Sequence, residues 1–326
     1  MPTATHTNTL AGVTLAIVAT LGWALNFIAP YVTGAYTVYD LMIVRFLLAG
    51  TLGVAVMMLN RTQLRLVRRD QQLLGAALGV IGYLGYSTCI AAGVIFGGPV
   101  LAPAFIGMVP VLLAVLGNAT NKTLQWRRLA LPLTFLSAGL LLSNISSFEQ
   151  PLNGDGSWLA GVFFSISAVV LWLVFSGLNQ RALAHLPAHA SGAWTGLMMA
   201  GAGVGTLCVL PVAQAFDVLK LPSLGFSVSL AGHLYAWGLA IALMSSVIGA
   251  WAWNAACHRL PMVLSGQLIA LESLFATLLG LLFQHRLPTP LEASGLAGVL
   301  VGVIMAVRII LTPHAPGRNA SARASS

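Results

Sequence analysis

Met262–Phe283 reads MVLSGQLIALESLFATLLGLLF, and how this stretch is read decides what kind of protein this is. It is apolar over the length a helix needs to cross a ~30 Å hydrocarbon layer at a rise of about 1.5 Å per residue. It holds one ionisable side chain, Glu272, about ten residues from either end. A charge at that depth costs a few kcal/mol or more unless something compensates for it. The carboxylate therefore needs a reason to be there.

The rest of the chain has the same character. Its 326 residues are 58% hydrophobic and 7% charged, where soluble domains carry roughly 25% charged residues, and the mean hydropathy is +0.90. Ten apolar blocks follow one another: Leu10 to Ile28, Asp40 to Leu59, Leu73 to Gly93, Val100 to Gly117, Leu129 to Leu142, Trp158 to Leu178, Ser191 to Ala213, Leu234 to Ala255, Met262 to Phe283 and Leu291 to Leu311. The fifth is the shortest. A membrane β-barrel needs alternating segments of about ten residues, which these blocks are not. The expected fold is an all-α integral membrane protein of ten transmembrane helices in a lipid bilayer.

Basic residues give the orientation, because Lys and Arg in short loops stay in the cytoplasm. Arg61, Arg65, Arg68, Arg69, Lys122, Arg127, Arg128, Arg181, Arg259, Arg308, Arg318 and Arg323 fall on one side of the predicted bundle. Lys220 and Arg286 fall on the other, and Arg45 lies inside the second block. The pI near 10.0 is thus a topology signal and not a sign of nucleic-acid binding. Both termini are expected in the cytoplasm.

Internal repetition comes next. GVTLAIVATLGWALN from Gly12 aligns with GVFFSISAVVLWLVF from Gly161, which sets Trp23 against Trp172; MVPVLLAV from Met108 aligns with LESLFATL from Leu271, and Gly139 then falls on Gly302. Each half contains five blocks. An odd number of spans per repeat forces the second copy to be inverted, an arrangement typical of secondary transporters that work by alternating access. The expected organisation is a cytoplasmic tail at 1–9, a first repeat at 10–144, a periplasmic linker at 145–157, a second repeat at 158–311 and a disordered cytoplasmic tail at 312–326.

GWALNF (from Gly22), RFLLAG (from Arg45), MVPVLLAV (from Met108) and LAGVLVGVIM (from Leu296), in this order and spacing, resemble the EamA family of the drug/metabolite transporter superfamily over nearly the whole chain. The resemblance implies two inverted five-helix repeats, no enzymatic activity, and export of a small metabolite such as an amino acid or related compound. It does not extend to the acidic residue that members often carry after the fourth and ninth spans, where this chain has Lys122 and His285. By resemblance, Ser273 stands where the ninth span commonly has a proline; its repeat counterpart is Pro110, and that of Glu272 is the apolar Val109.

Glu272 thus lies at the depth where repeat transporters bind substrate. Gly266, Ala270, Ser273, Thr277 and Gly280 form a stripe of small residues suited to close packing, and Glu272 is turned about 100° from it. Three readings stand side by side: Glu272 binds a substrate ammonium, exchanges a proton during the cycle, or pairs with Arg45. Arg45 either reaches toward it or snorkels outward.

Further candidates for cavity contact are Trp23 and Asn26 in the first span, Tyr83 and Tyr86 in the third, and Trp251 and Asn254 on one stripe of the eighth with His258. Aromatic faces with a few polar groups suit an organic solute, whereas Trp and Tyr also mark interfaces and helix packing. Cys89, Cys208 and Cys257 stand singly, with no metal or disulfide spacing. There is no Walker loop, GxSxG or HExxH, so neither cofactor nor catalytic residue is expected. The expected partners are a small-molecule substrate, protons and lipid, with oligomeric state left open. An uncoupled facilitator or importer is the alternative within transport; a membrane-embedded enzyme or sensor is a more remote one.

Overall fold

In the computed structural model, residues 6–121, 126–144, 158–283 and 285–311 are described. The linker at 145–157, the tail at 312–326, residues 1–5 and Lys122 lie outside them. Every regular element among the described residues is helical. Among the described residues, eight helices are long and apolar enough to cross a membrane: Asn8–Ile28, Val38–Leu59, Arg69–Gly93, Trp158–Ala184, Ala188–Ala215, Val228–Cys257, Met262–Phe283 and Pro290–Ile309. The fifth block is a shorter apolar stretch, Ala130–Leu142. A chain with this many apolar helices is an integral membrane protein, because in hydrocarbon each backbone amide must find its partner within its own segment.

In chain order the principal helices are α1 (His6–Ala24), α2 (Val38–Leu59), α3 (Arg69–Gly79), α4 (Tyr86–Ile106), α5 (Val109–Asn121), α6 (Trp126–Asn144), α7 (Trp158–Ala184), α8 (Ser191–Ala215), α9 (Val228–Ile241), α10 (Ala250–Cys257), α11 (Met262–Leu268), α12 (Ala270–Phe283) and α13 (Pro290–Leu311). Two π-helical segments are spliced into this series, Val80–Gly85 between α3 and α4 and Ala242–Gly249 between α9 and α10. The block expected over Val100 to Gly117 is not one helix. The chain turns at Gly107 and Met108, where Met108 N–H donates to the Phe105 carbonyl at 3.1 Å. Pro110 explains the turn: it has no N–H to donate to the Ile106 carbonyl four residues back, so one helix does not run through it, while the ring is tolerated in the first turn of α5.

The ninth block is also divided, at Ile269, between α11 and α12. The division is mild, since Ile269 keeps helical angles (φ −63°, ψ −23°). It still makes Glu272 a first-turn residue of α12, with its N–H shortened onto the Ile269 carbonyl at 3.0 Å. A carboxylate is favoured there by the positive end of the helix dipole.

Helices pack where side chains vanish. α2 crosses α8 at Gly50 and Gly203, where a Cβ on Gly50 would lie 2.8 Å from the Gly203 Cα; α6 crosses α13 at Gly139 and Gly298, where a Cβ on Gly139 would lie 2.5 Å from the Val299 N. α4 lies along α7, α1 along α10, and α5 against α11. The small-residue stripe expected in the ninth span does not continue this pattern. It is broken at Ile269, and a Cβ on Gly280 would meet nothing within 4 Å.

Two ends can be told apart. At one, Gln180 Nε2 donates to the Cys257 carbonyl at 3.0 Å, Gly192 lies against Asn60, and Gly12 lies against Arg259; the arginines after α2 and α10 are here. At the other, Asp40, 1% exposed, caps α2 with Thr37 and accepts from the backbone N–H of Lys220 at 3.1 Å and of Leu221 at 3.0 Å.

Candidate functional site

Between the two ends, α1, α2, the first π segment, α4, α7 and α12 converge on one small cavity of about 20 Å³, lined by Trp23, Asn26, Arg45, Gly82, Tyr83, Tyr86, Ser87, Trp172 and Glu272. That is room for about one ordered water. Six of the eight residues singled out from sequence meet here: Trp23, Asn26, Arg45, Tyr83, Tyr86 and Glu272. The remaining two do not.

Arg45 is held without an acid. Its Nε donates to Ser246 Oγ at 2.9 Å and its Nη2 to Ser245 Oγ at 3.4 Å, and its guanidinium lies 4.5 Å from the centroid of the Phe46 ring. Ser245 in turn donates to Asn26 Oδ1 at 3.1 Å. Both serines come from the second π segment, a helix form that widens one turn and recurs at functional sites. Nη1 has no hydrogen-bond partner among the described residues. With Arg45 only 6% exposed, the charge stays in the bundle and does not snorkel out.

Glu272 shares the cavity with Arg45, and each acts on the other through its charge. They form no salt bridge with one another, and the Glu272 carboxylate accepts no hydrogen bond from the described residues. The pairing considered from sequence is therefore an electrostatic proximity and not a contact.

Aromatic rings make the remaining wall. Trp172 meets Trp23 edge-on, with centroids 5.4 Å apart and planes at 87°, and tilts against Tyr86 at 4.8 Å. Tyr83 and Trp172 both rest on Phe175, at 5.4 Å and 5.1 Å. Gly82 permits this, because a Cβ there would fall 2.1 Å from the Phe175 ring. The Tyr83 hydroxyl and the Nε1 atoms of Trp23 and Trp172 are buried with no hydrogen-bond partner among the described residues, which is uncommon for such groups.

Trp251 and Asn254 lie elsewhere. Trp251 is 44% exposed on the outside of the bundle, and it is Trp253, 2% exposed, that joins the aromatic group through Trp23 at 5.1 Å. Asn254 is fully buried in a separate network: it accepts from Asn179 Nδ2 at 2.9 Å and donates to Thr195 Oγ1 at 3.0 Å, while Trp194 Nε1 donates to Asn179 Oδ1 at 2.8 Å. These bonds tie α7, α8 and α10 together, away from the cavity lining. Sequence reasoning missed Trp172, Ser87, Ser245 and Ser246. The alignment of Trp172 with Trp23 was the available signal for the first; nothing in a serine pair marks a π segment.

Inner membrane protein YtfF of Escherichia coli (strain K12) is 29% identical to this chain over 314 residues, covering 92% of the chain and 95% of YtfF. A solved crystal structure shares the fold at a TM-score of 0.69 and 20% identity, covering 93% of this chain and 98% of that one. No family model matches the chain.

Proposed function

We propose that this protein is an inner-membrane secondary transporter of a small organic metabolite, an exporter of amino acids or related compounds of the EamA type, exchanging its solute for protons by alternating access. The observation that carries the reading is that Arg45 and Glu272 line one small cavity within the bundle without a salt bridge between them. Two ionisable groups kept in hydrocarbon with no ion pair between them are expensive. A binding step that satisfies them gives that expense a purpose.

An inverted ten-span repeat is supported by how the helices pair. If spans one to five correspond to six to ten, α2 packs on its own counterpart α8, α6 on α13, and α5 on α11, while the contact of α4 with α7 is mirrored by that of α10 with α1. The π segments fall in the third and eighth spans, and the interruptions at Gly107–Met108 and Ile269 in the fourth and ninth. Discontinuous spans at matching places are how repeat transporters build a midplane site. YtfF supports the inner membrane as location, and the cluster of arginines at one end supports cytoplasmic termini.

In the proposed cycle a proton or a positively charged group neutralises Glu272, and the two exclude each other. Loading on one side and release on the other then couples solute to proton. Purified protein in acid-loaded liposomes with a trapped pH dye tests this: one or more solutes from a panel of amino acids, amines and organic acids should collapse the gradient with wild type and not with Glu272→Gln. Solute exchange that is equal in both proteins and independent of the gradient replaces the antiporter with an uncoupled facilitator.

A further inference from the structure

Buried polar atoms without partners are not spread evenly through this bundle. We infer that they mark the route between the cavity and the basic end, that the route is closed in this structure, and that Gln267 is the group whose hydrogen bonds are made only when it opens. This rests on the transport reading and names the residues that the basic-side half of its cycle exposes.

The distribution carries the argument. Among the described residues, seven buried side-chain atoms lack a hydrogen-bond partner. Three belong to Trp23, Tyr83 and Trp172 in the cavity wall. The other four belong to Ser176, Gln267 and His258, and all lie on the basic side of the cavity. Ser176 is one turn beyond Trp172 toward the Gln180 end of α7, Gln267 precedes Glu272 toward the start of α11, and His258 follows α10. Toward the other end the buried polar groups are paired: Asp40 accepts from Thr37, Lys220 and Leu221, Arg45 is held by Ser246, and Glu292 accepts from Arg286.

Gln267 is the extreme case. It is 0% exposed, and neither its Nε2 nor its Oε1 has a partner among the described residues, although an amide offers two donors and an acceptor. Burying such a group unpaired carries a penalty that an apolar side chain of similar size avoids. The bundle pairs other amides toward the same end, as Asn179 and Asn254 show, so the omission is particular to Gln267. It stands on α11, a seven-residue helix bounded by Pro261 and by the break at Ile269, and α11 packs on α5 and α1. Water that enters when this short piece shifts supplies the missing bonds. The seam that closes the route joins α7 to the turn after α10, where Gln180 Nε2 donates to the carbonyls of Cys257 at 3.0 Å and Leu260 at 3.4 Å. The Cys257 thiol sits inside that seam: the residue is 7% exposed and within electrostatic reach of Tyr83 in the cavity wall. It is a native reporter of opening.

The test uses the full-length protein in bacterial membrane vesicles and a membrane-impermeant maleimide, with labelling of Cys257 read by mass spectrometry of its peptide. Wild type should label at Cys257 in inverted vesicles, and more slowly in right-side-out ones. Gln267→Leu removes the unmade bonds and so favours the closed form. It should slow labelling in inverted vesicles about ten-fold without lowering the unfolding temperature in detergent, and Gln267→Met takes its place if the leucine variant does not fold. Labelling that is equal in wild type and a folded Gln267 variant, faster from the outer face, or undetectable below the unfolding temperature overturns the inference. The liposome assay of transport is independent of this one: side-specific labelling that responds to Gln267, in a protein that moves no solute, overturns the transport reading and leaves the opening in place.

Discussion

Arg45 donates its Nε hydrogen to Ser246 Oγ at 2.9 Å, across 201 residues of sequence, although a carboxylate faces the same cavity. The serine is thus what holds the guanidinium. Ser246→Ala should remove that anchor and leave Nε unpartnered, at a cost of about 1–3 kcal/mol. Thermal unfolding in detergent reads the loss. Solute-driven collapse of the pH gradient in liposomes should weaken in parallel, since the guanidinium is no longer fixed; unchanged transport with lowered stability would reduce Ser246 to a structural residue.

Asn254 and Trp251 provide a contrast outside the cavity. Asn254→Ala strips partners from Asn179 and Thr195 and should destabilise the fold by about 2–3 kcal/mol. Trp251→Ala, on the outer surface, should change stability far less, within about 1 kcal/mol. Solute selectivity of the folded fraction should be untouched in both. A selectivity change in Trp251→Ala would return that residue to the site.

Two glycines separate packing from helix propensity. Gly139→Ala places a Cβ 2.5 Å from the Val299 backbone and should lower stability by about 1–3 kcal/mol as α6 and α13 are forced apart. Gly280→Ala meets nothing within 4 Å and should raise stability by about 0.5–1 kcal/mol through helix propensity alone. Unfolding temperatures of the two variants against wild type give both signs in one experiment.

His258 follows α10 at the basic end, with Nε2 buried and unpartnered. Burial, and then the neighbouring charge of Arg259, hold its imidazole below its ordinary pKa of 6.5. As pH falls the unfolded chain takes up this proton before the folded one does. The contribution to stability is therefore complete above about 6.5 and is lost as pH drops through that value toward the lower folded one. Unfolding temperature should fall more steeply in wild type than in His258→Gln between pH 7.5 and 5.5, and parallel slopes would remove His258 from the acid response.

Much of the site was legible before any coordinates. A charge in hydrocarbon needs compensation whatever the fold, so Glu272 and Arg45 stood out from composition and depth alone. Trp23, Asn26, Tyr83 and Tyr86 came from spacing within spans. The same spacing failed at Trp251 because lipid is as apolar as a buried helix face; the stripe through Trp251 and Asn254 runs along a boundary, with one residue turned outward and the other into a polar network. Only packing reveals which side of such a boundary a residue falls on.

Hydropathy by itself determined that this chain is a helical membrane protein, where most of its spans lie, and that one acid and one arginine remain inside them. These follow from the solvent, since hydrocarbon leaves a polar backbone few options. Tertiary structure decided that the two charges share a cavity without touching, that two serines on a π-helical turn hold the arginine, and that Trp253 and not Trp251 joins the aromatic wall. Those outcomes depend on the rotation and separation of helices, which close contacts such as Gly50 on Gly203 and Gly82 on Phe175 set and which no local pattern encodes.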